Sequence, residues 1–159
     1  MSIKSITCTF EEYTSVEALA ASDRLLVEAA VSAMQSAYAP YSQFQVGAAL
    51  LLDDGTIVSG SNQENAAYPS GLCAERVAFF AAGSQHPDKR MLAVAITTSY
   101  PLPQPISPCG ACRQVMAEYE LKQGASIRII LASNGGSVMI VEQARDLLPM
   151  YFSGEWLRK

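Results

Sequence analysis

A chain of 159 residues, half of them hydrophobic and 16 % charged, carries apolar material for one core and too little length for two ordinary domains, so residues 1–159 are read as one domain with 1–20 as an N-terminal extension and 21–159 as the core. The formal charge of −4 and the pI of about 4.9 have the wrong sign for gripping phosphate backbones, which excludes nucleic acid as an expected partner. No run reaches the roughly 20 apolar residues of a membrane helix, and MSIKSITCTFEEY lacks the layout of a signal peptide, so no membrane partner and a cytoplasmic location are expected.

In chain order, Leu25, Leu26, Ala29, Ala30, Ala33, Met34 and Ala37 recur at helical spacing. They predict an amphipathic helix from Ser22, placed to cap it, to about Tyr38, ending before Pro40. Phe44–Leu52 and Thr56–Asn62 flank Asp53, Asp54 and Gly55 and read as a hairpin. CAERVAFFAAG, beginning at Cys73, reads as a helix that stops at Gly83. The run Met91–Ser99 reads as a buried strand, and the Pro-rich stretch after it delivers the chain to Cys109 as a loop. CGACRQVMAEYEL then has the composition of a helix ending near Gly124, and SIRIILAS with SVMIV predicts a second hairpin around Asn134, Gly135 and Gly136. Strands alternating with helices require crossovers, while the hairpins require antiparallel pairs. The expected fold is therefore α/β, a three-layer α-β-α sandwich around a mixed five-stranded sheet.

The chemistry concentrates on cysteine. Four cysteines in a reducing compartment are metal ligands or packed thiols rather than disulfides, and a single histidine, His86, excludes a site built from several imidazoles. Cys109 and Cys112 stand at ligand spacing in the first turn of a predicted helix, and Cys73 opens another. Two helix N-termini aimed at one point favour thiolates, and a metal is the natural occupant. Cys8 reads as a packed or surface thiol and His86 as a solvated loop residue. Three protein ligands leave a tetrahedral position for water, the mark of a catalytic rather than a structural zinc site.

Glu75 is badly spaced to be a neighbouring ligand but is placed to take a proton from water beside the metal, although a first-turn Glu is also common for dipole reasons alone. Three thiolates around Zn²⁺ leave a net charge of −1, which weakens its ability to acidify water. Arg76 is the candidate to draw off that charge by donating to a cysteine sulfur; the alternative for both Arg76 and Arg113 is a surface salt bridge.

Cys73-Ala74-Glu75 with Pro108-Cys109-Gly110-Ala111-Cys112-Arg113-Gln114 resembles the signature of the zinc nucleoside and base deaminases. YSQFQVGAALL (Tyr41 to Leu51) and NQENAAYP (Asn62 to Pro69) are similar to motifs of the small homotetrameric cytidine deaminases. The resemblance implies one Zn²⁺ per subunit, held by Cys73, Cys109 and Cys112, with Glu75 catalytic. It implies that Asn62 and Glu64 bind the ribose hydroxyls, that Phe44 stacks on the base, and that the backbone of Ala74 contacts the pyrimidine. LLPMYFSGEWL resembles the segment that lends an aromatic to a neighbouring subunit, which puts Phe152 in a partner's site within a homotetramer.

The implied reaction is hydrolytic deamination of cytidine and 2′-deoxycytidine to the uridines and ammonia, in pyrimidine salvage. Activated water attacks C4, and Glu75 accepts its proton and then supplies N3 and the departing amine. Two readings compete: a blasticidin-type aminonucleoside deaminase, which would not be expected to carry NQENAAYP, and a non-catalytic zinc-stabilised module, in which Cys8 or His86 would close the metal site.

Overall fold

The computed structural model describes residues 1–157. Successive side chains of its central strands serve two different cores. Along β2 (Val46–Leu52), Val46, Ala48, Leu50 and Leu52 face one way while Ala49 and Leu51 face the other. In β4 (Met91–Thr98) the split is Val94 and Ile96 against Ala93 and Ala95. Strands buried on both faces read as continuous apolar runs, which is why period-two alternation is hidden in them. The first core is covered by α2 (Ala74–Gln85) and α3 (Gly110–Gln123), the second by α1 (Ala21–Met34) through Leu26, Val27 and Ala30. The expected α-β-α layering is present.

The sheet has six strands, not five, in the order β1-β6-β5-β4-β2-β3. The remaining members are β3 (Ile57–Ser61), β5 (Arg128–Ala132) and β6 (Val138–Val141). The added strand β1 (Glu11–Tyr13) comes from the N-terminal extension and pairs antiparallel with β6. Three residues, two of them glutamates, carry no apolar alternation, so only the unpaired edge of β6 makes this a strand. β4 and β5 pair in parallel, and the other neighbours are antiparallel.

Because β3 and β4 both run antiparallel to β2, they run in the same direction, and α2 and α3, which follow them, begin at the same end of the sheet. That topology brings two helix N-termini together. Gly60 in β3 sets how closely α2 approaches: a Cβ there would lie 2.4 Å from the Ala74 carbonyl oxygen and 2.5 Å from the Ala78 nitrogen. Gly47 in β2 does the same for α1, with a Cβ falling 2.0 Å from the Ala30 oxygen.

Several boundaries move. Ser22 is not the cap of α1; the helix starts at Ala21 with Ala20 as its N-cap and no side-chain bond there. The start is set by tertiary packing, with Leu19 buried before it and Asp23 in its first turn paired to Arg128 at 2.8 Å. The helix also ends at Met34 rather than near Tyr38, because Tyr38 is taken up in bridging to Gln63, its N–H donating to the Asn62 oxygen at 2.9 Å. Gly83 does not stop α2, which continues to Gln85. Its role is helix–helix approach, since a Cβ there would meet the Tyr119 hydroxyl at 2.2 Å. Gly124 does end α3, with φ 64° in the left-handed region that glycine accepts without cost.

Candidate active site

Cys73 is the N-cap of α2 and Cys109 the N-cap of α3, with Cys112 in the first turn of α3. Their sulfurs lie within 4.8 Å of one another, Cys73 to Cys109 at 3.8 Å and Cys109 to Cys112 at 3.5 Å. Tetrahedral Zn–S bonds of about 2.3 Å put sulfurs about 3.8 Å apart, so the spacing fits one zinc ion.

The protonation of the cluster fits as well. Cys73 is held down to about 5, first by the hydrogen bond from Cys112 and then, against the opposing effect of burial, by Arg76 and Cys109. Cys112 is pushed above the ordinary thiol range because it keeps the proton it shares with Cys73 and is buried. Three crowded sulfurs cannot all ionise alone, and a divalent cation held by them would take the place of the bridging proton. Neither Cys8, exposed in the N-terminal segment, nor His86, which caps the far end of the 12-residue α2, joins the group.

Arg76 points where the charge argument requires. Its Nη2 reaches the Cys73 Sγ at 3.8 Å and the Gly71 oxygen at 3.4 Å, while its buried Nε has no partner among the described residues. Burial alone would lower its pKa, but the bond and charge of Cys73 outweigh that and raise it. Arg113 has a different role from either considered for it. It donates to the Pro108 oxygen at 2.7 Å, the Leu147 oxygen at 2.7 Å and the Ser107 hydroxyl at 2.8 Å, and so binds the ligand loop to the C-terminal region.

Glu75, one residue into α2, is 5 % exposed. Burial lifts its carboxyl above the ordinary range; its own backbone amide works against this and the Cys73 charge adds to it. No ion pair neutralises it among the described residues. A buried carboxylate beside a cluster of cysteine sulfurs is suited to holding and releasing a proton.

Cys73, Cys109, Glu75 and Arg76 are among the residues that line a cleft of about 800 Å³, a volume in the range of small-molecule sites. Its apolar wall includes Phe44, Val46, Leu72 and Ile106, and Asn62, Glu64 and Asn65 supply polar groups. Phe44 lies just before β2, half-buried, its ring centroid 5.9 Å from that of Tyr100. Asn62 does more than line the cleft: its Nδ2 donates to the Phe44 oxygen and its Oδ1 accepts the Val46 N–H, each at 2.8 Å. The amide thus fixes the strand entry that carries Phe44, with one hydrogen and one lone pair left over.

Ala74 occupies the first position of α2, where an N–H has no intrahelical acceptor. Phe152 is not brought to this cleft. Its side chain is 72 % exposed, and its backbone oxygen accepts from Gln114 Nε2 at 2.7 Å. Tyr41, Ser42 and Tyr68, not singled out from the sequence, also line the cleft. The first two lie inside the Tyr41 to Leu51 motif, which is the signal that could have found them.

Residues 20–125 match the family model of the cytidine and deoxycytidylate deaminase zinc-binding region. Over 132 residues the chain is 42 % identical to a cytidine deaminase of Halalkalibacterium halodurans, covering 83 % of this chain and 95 % of that one. It is 45 % identical over 132 residues to one of Sporosarcina psychrophila, covering 82 % and 90 %. Among solved structures, a cytidine deaminase from Burkholderia pseudomallei superposes with a TM-score of 0.71 at 43 % identity, covering 80 % of this chain and 97 % of that one. The Mycobacterium tuberculosis enzyme gives 0.63 at 37 % identity, covering 81 % and 95 %. Three sulfurs at zinc spacing, a buried carboxylate beside them and matches along most of the chain agree: the protein belongs to the cytidine and deoxycytidylate deaminase family of zinc-binding hydrolytic deaminases.

Proposed function

We propose that the protein hydrolyses free cytidine and 2′-deoxycytidine to the corresponding uridines and ammonia, as a step of pyrimidine salvage. The observation that carries this is the cleft itself, which is lined by two residues of the three-sulfur cluster, the buried Glu75, Asn62 and Glu64 and, among its apolar walls, Phe44. Cys73, Cys109 and Cys112 would hold the zinc ion, which would supply the positive charge that acidifies water. Glu75 accepts the first proton of a water that attacks C4 and delivers it to N3 of the base. It then takes the proton of the hydroxyl left on C4 and passes it to the departing amine, which leaves as ammonia while C4 becomes a carbonyl. Arg76 offsets the excess negative charge of the sulfurs through Cys73.

Asn62 and Glu64 read the ribose hydroxyls, which penalises a free base that would leave them unpaired. Phe44 stacks on the base and the Ala74 amide donates to it. Phe152 completes the cleft of a neighbouring subunit in a homotetramer, a reading supported by its exposure and by exposed Phe80, Tyr68 and Met150. The chain acts as one domain over 1–159, and a cytoplasmic location is supported by four unpaired cysteines. Among the described residues no helix is long and apolar enough to cross a membrane.

The experiment is the loss of cytidine ultraviolet absorbance on mixing with purified protein, beside a Glu75→Ala variant and a chelator-stripped sample. Conversion by the intact protein alone is the expected result. No conversion by folded, zinc-loaded protein transfers the assignment to an aminonucleoside substrate or to a non-catalytic module.

A further inference from the structure

One hydroxyl in the cleft is held in a way that the deaminase chemistry does not by itself require. Ser42 lies on the loop between α1 and β2, and its Oγ donates to Glu64 Oε1 while accepting the Phe44 N–H at 3.0 Å. The other carboxylate oxygen, Oε2, accepts the backbone N–H groups of Tyr41 at 2.9 Å and Ser42 at 3.2 Å. Glu64 is therefore bound by three donors from one loop, two residues of which supply all of them. Between Ser42 and Phe44 the chain passes through Gln43 at φ 58°, a left-handed conformation that costs a non-glycine residue free energy. Two bonds hold that turn, from Gln43 N–H to the Ala39 oxygen at 3.1 Å and from its Nε2 to the Pro40 oxygen at 3.0 Å.

We propose that Ser42 is a positioning residue for substrate recognition, a latch that through one hydroxyl orients the Glu64 carboxylate toward the sugar and ties it to the strand entry bearing Phe44. A carboxylate has about four lone-pair sites. Three are filled by Tyr41 N–H, Ser42 N–H and Ser42 O–H, so one acceptor direction, on Oε1, remains for a ribose hydroxyl. A freely rotating Glu64 would lose side-chain entropy on binding the nucleoside, and the latch removes that cost before substrate arrives. The same donors keep the carboxyl below the ordinary range, the Ser42 hydroxyl contributing most, so Glu64 meets the sugar as an anion. The inference rests on the reading of Glu64 as a sugar-binding residue.

The test compares Ser42→Ala, Ser42→Thr, Glu64→Gln and the Ser42→Ala/Glu64→Gln double variant, each checked for zinc content, on cytidine and on 2′,3′-dideoxycytidine. Ser42→Ala is expected to lower kcat/KM on cytidine by roughly tenfold through KM with little change in kcat, the scale of one hydrogen bond to a charged group. Any contribution through Phe44 falls on both nucleosides equally, so the cytidine-to-dideoxycytidine ratio isolates the sugar. That ratio should drop in Ser42→Ala, recover in Ser42→Thr, and fall no further in the double variant than in Glu64→Gln. Equal losses on both nucleosides, or Ser42 and Glu64 effects that multiply, overturn the latch while leaving the sugar reading intact. An unchanged ratio in Glu64→Gln overturns the sugar reading, and the latch with it.

Discussion

Two parts of the cleft lining are built on opposite principles. Around the three cysteines every functional side chain sits at the start of a helix, and the helices are fixed by buried contacts: Ala74, Glu75 and Ala78 on α2, Cys112 and Met116 on α3. Around Glu64, by contrast, Tyr41, Ser42 and Tyr68 are exposed, and the carboxylate is held by a loop of hydrogen bonds rather than by packing. Chemistry that moves protons needs groups fixed within fractions of an ångström in a low-dielectric setting, and packed helix ends supply that. Recognition of a solvated sugar, the role proposed for Asn62 and Glu64, needs access, and an exposed loop would supply it with less rigidity. Substitutions in the helix-borne part should therefore cost turnover, and those in the loop-borne part should cost affinity.

The largest break of this contrast is Cys112→Ala. Removing the buried ligand should abolish zinc retention and reduce deamination to background, which metal analysis and the absorbance assay check together. Glu75→Ala should keep the zinc and lose kcat by about 10²–10⁴-fold, the range for a positioned acid or base; parallel loss of metal would mean that Glu75 serves the cluster and not the proton. Gly60→Ala probes the packing beneath the site. With 2.4 Å available to the Ala74 oxygen, α2 must shift, and thermal unfolding should show a loss of about 1–3 kcal/mol together with weaker zinc binding.

The smallest effect separates the loop-borne part from the helix-borne part by pH. Glu64 is depressed from its ordinary 4.5, chiefly by Ser42, with the Tyr41 and Ser42 amides working in the same direction against burial. A depressed folded pKa contributes stability that is complete above the unfolded value and lost as pH falls through the folded one. The stability gap between wild type and Glu64→Gln should therefore hold from neutrality to about pH 4.5 and close below it. A gap that stays constant under acid would show that the latch does not depend on the carboxylate charge.

Local chemistry was legible where residues near in sequence are near in space. Cys109 and Cys112 share a helical turn, so their ligand spacing is a property of the chain, and the apolar runs in β2, β4 and β5 announce buried strands. Gly124 ends its helix as its composition suggests, because nothing packs against it to decide otherwise. Gly83 has the same identity and the opposite role, since Tyr119 from α3 occupies the space beside it. Ser22 had the composition of a cap, but Leu19 burial and the Asp23–Arg128 pair set the start of α1 elsewhere.

What the sequence by itself determined is the set of groups: three thiols, a carboxylate two residues after the first, and polar residues at Asn62 and Glu64, each specified by covalent neighbours. Only the tertiary structure decided their meeting. Cys73 and Cys109 come within 3.8 Å because β3 and β4 run the same way on either side of β2, and because Gly60 lets α2 settle against the sheet. Ser42 meets Glu64 because Tyr38 leaves α1 to bridge Gln63, its carbonyl in turn accepting the Glu64 N–H at 2.8 Å, which draws the loop across the cleft. Such contacts are set by strand direction and close packing between distant segments, and neither is written in the local pattern of residues.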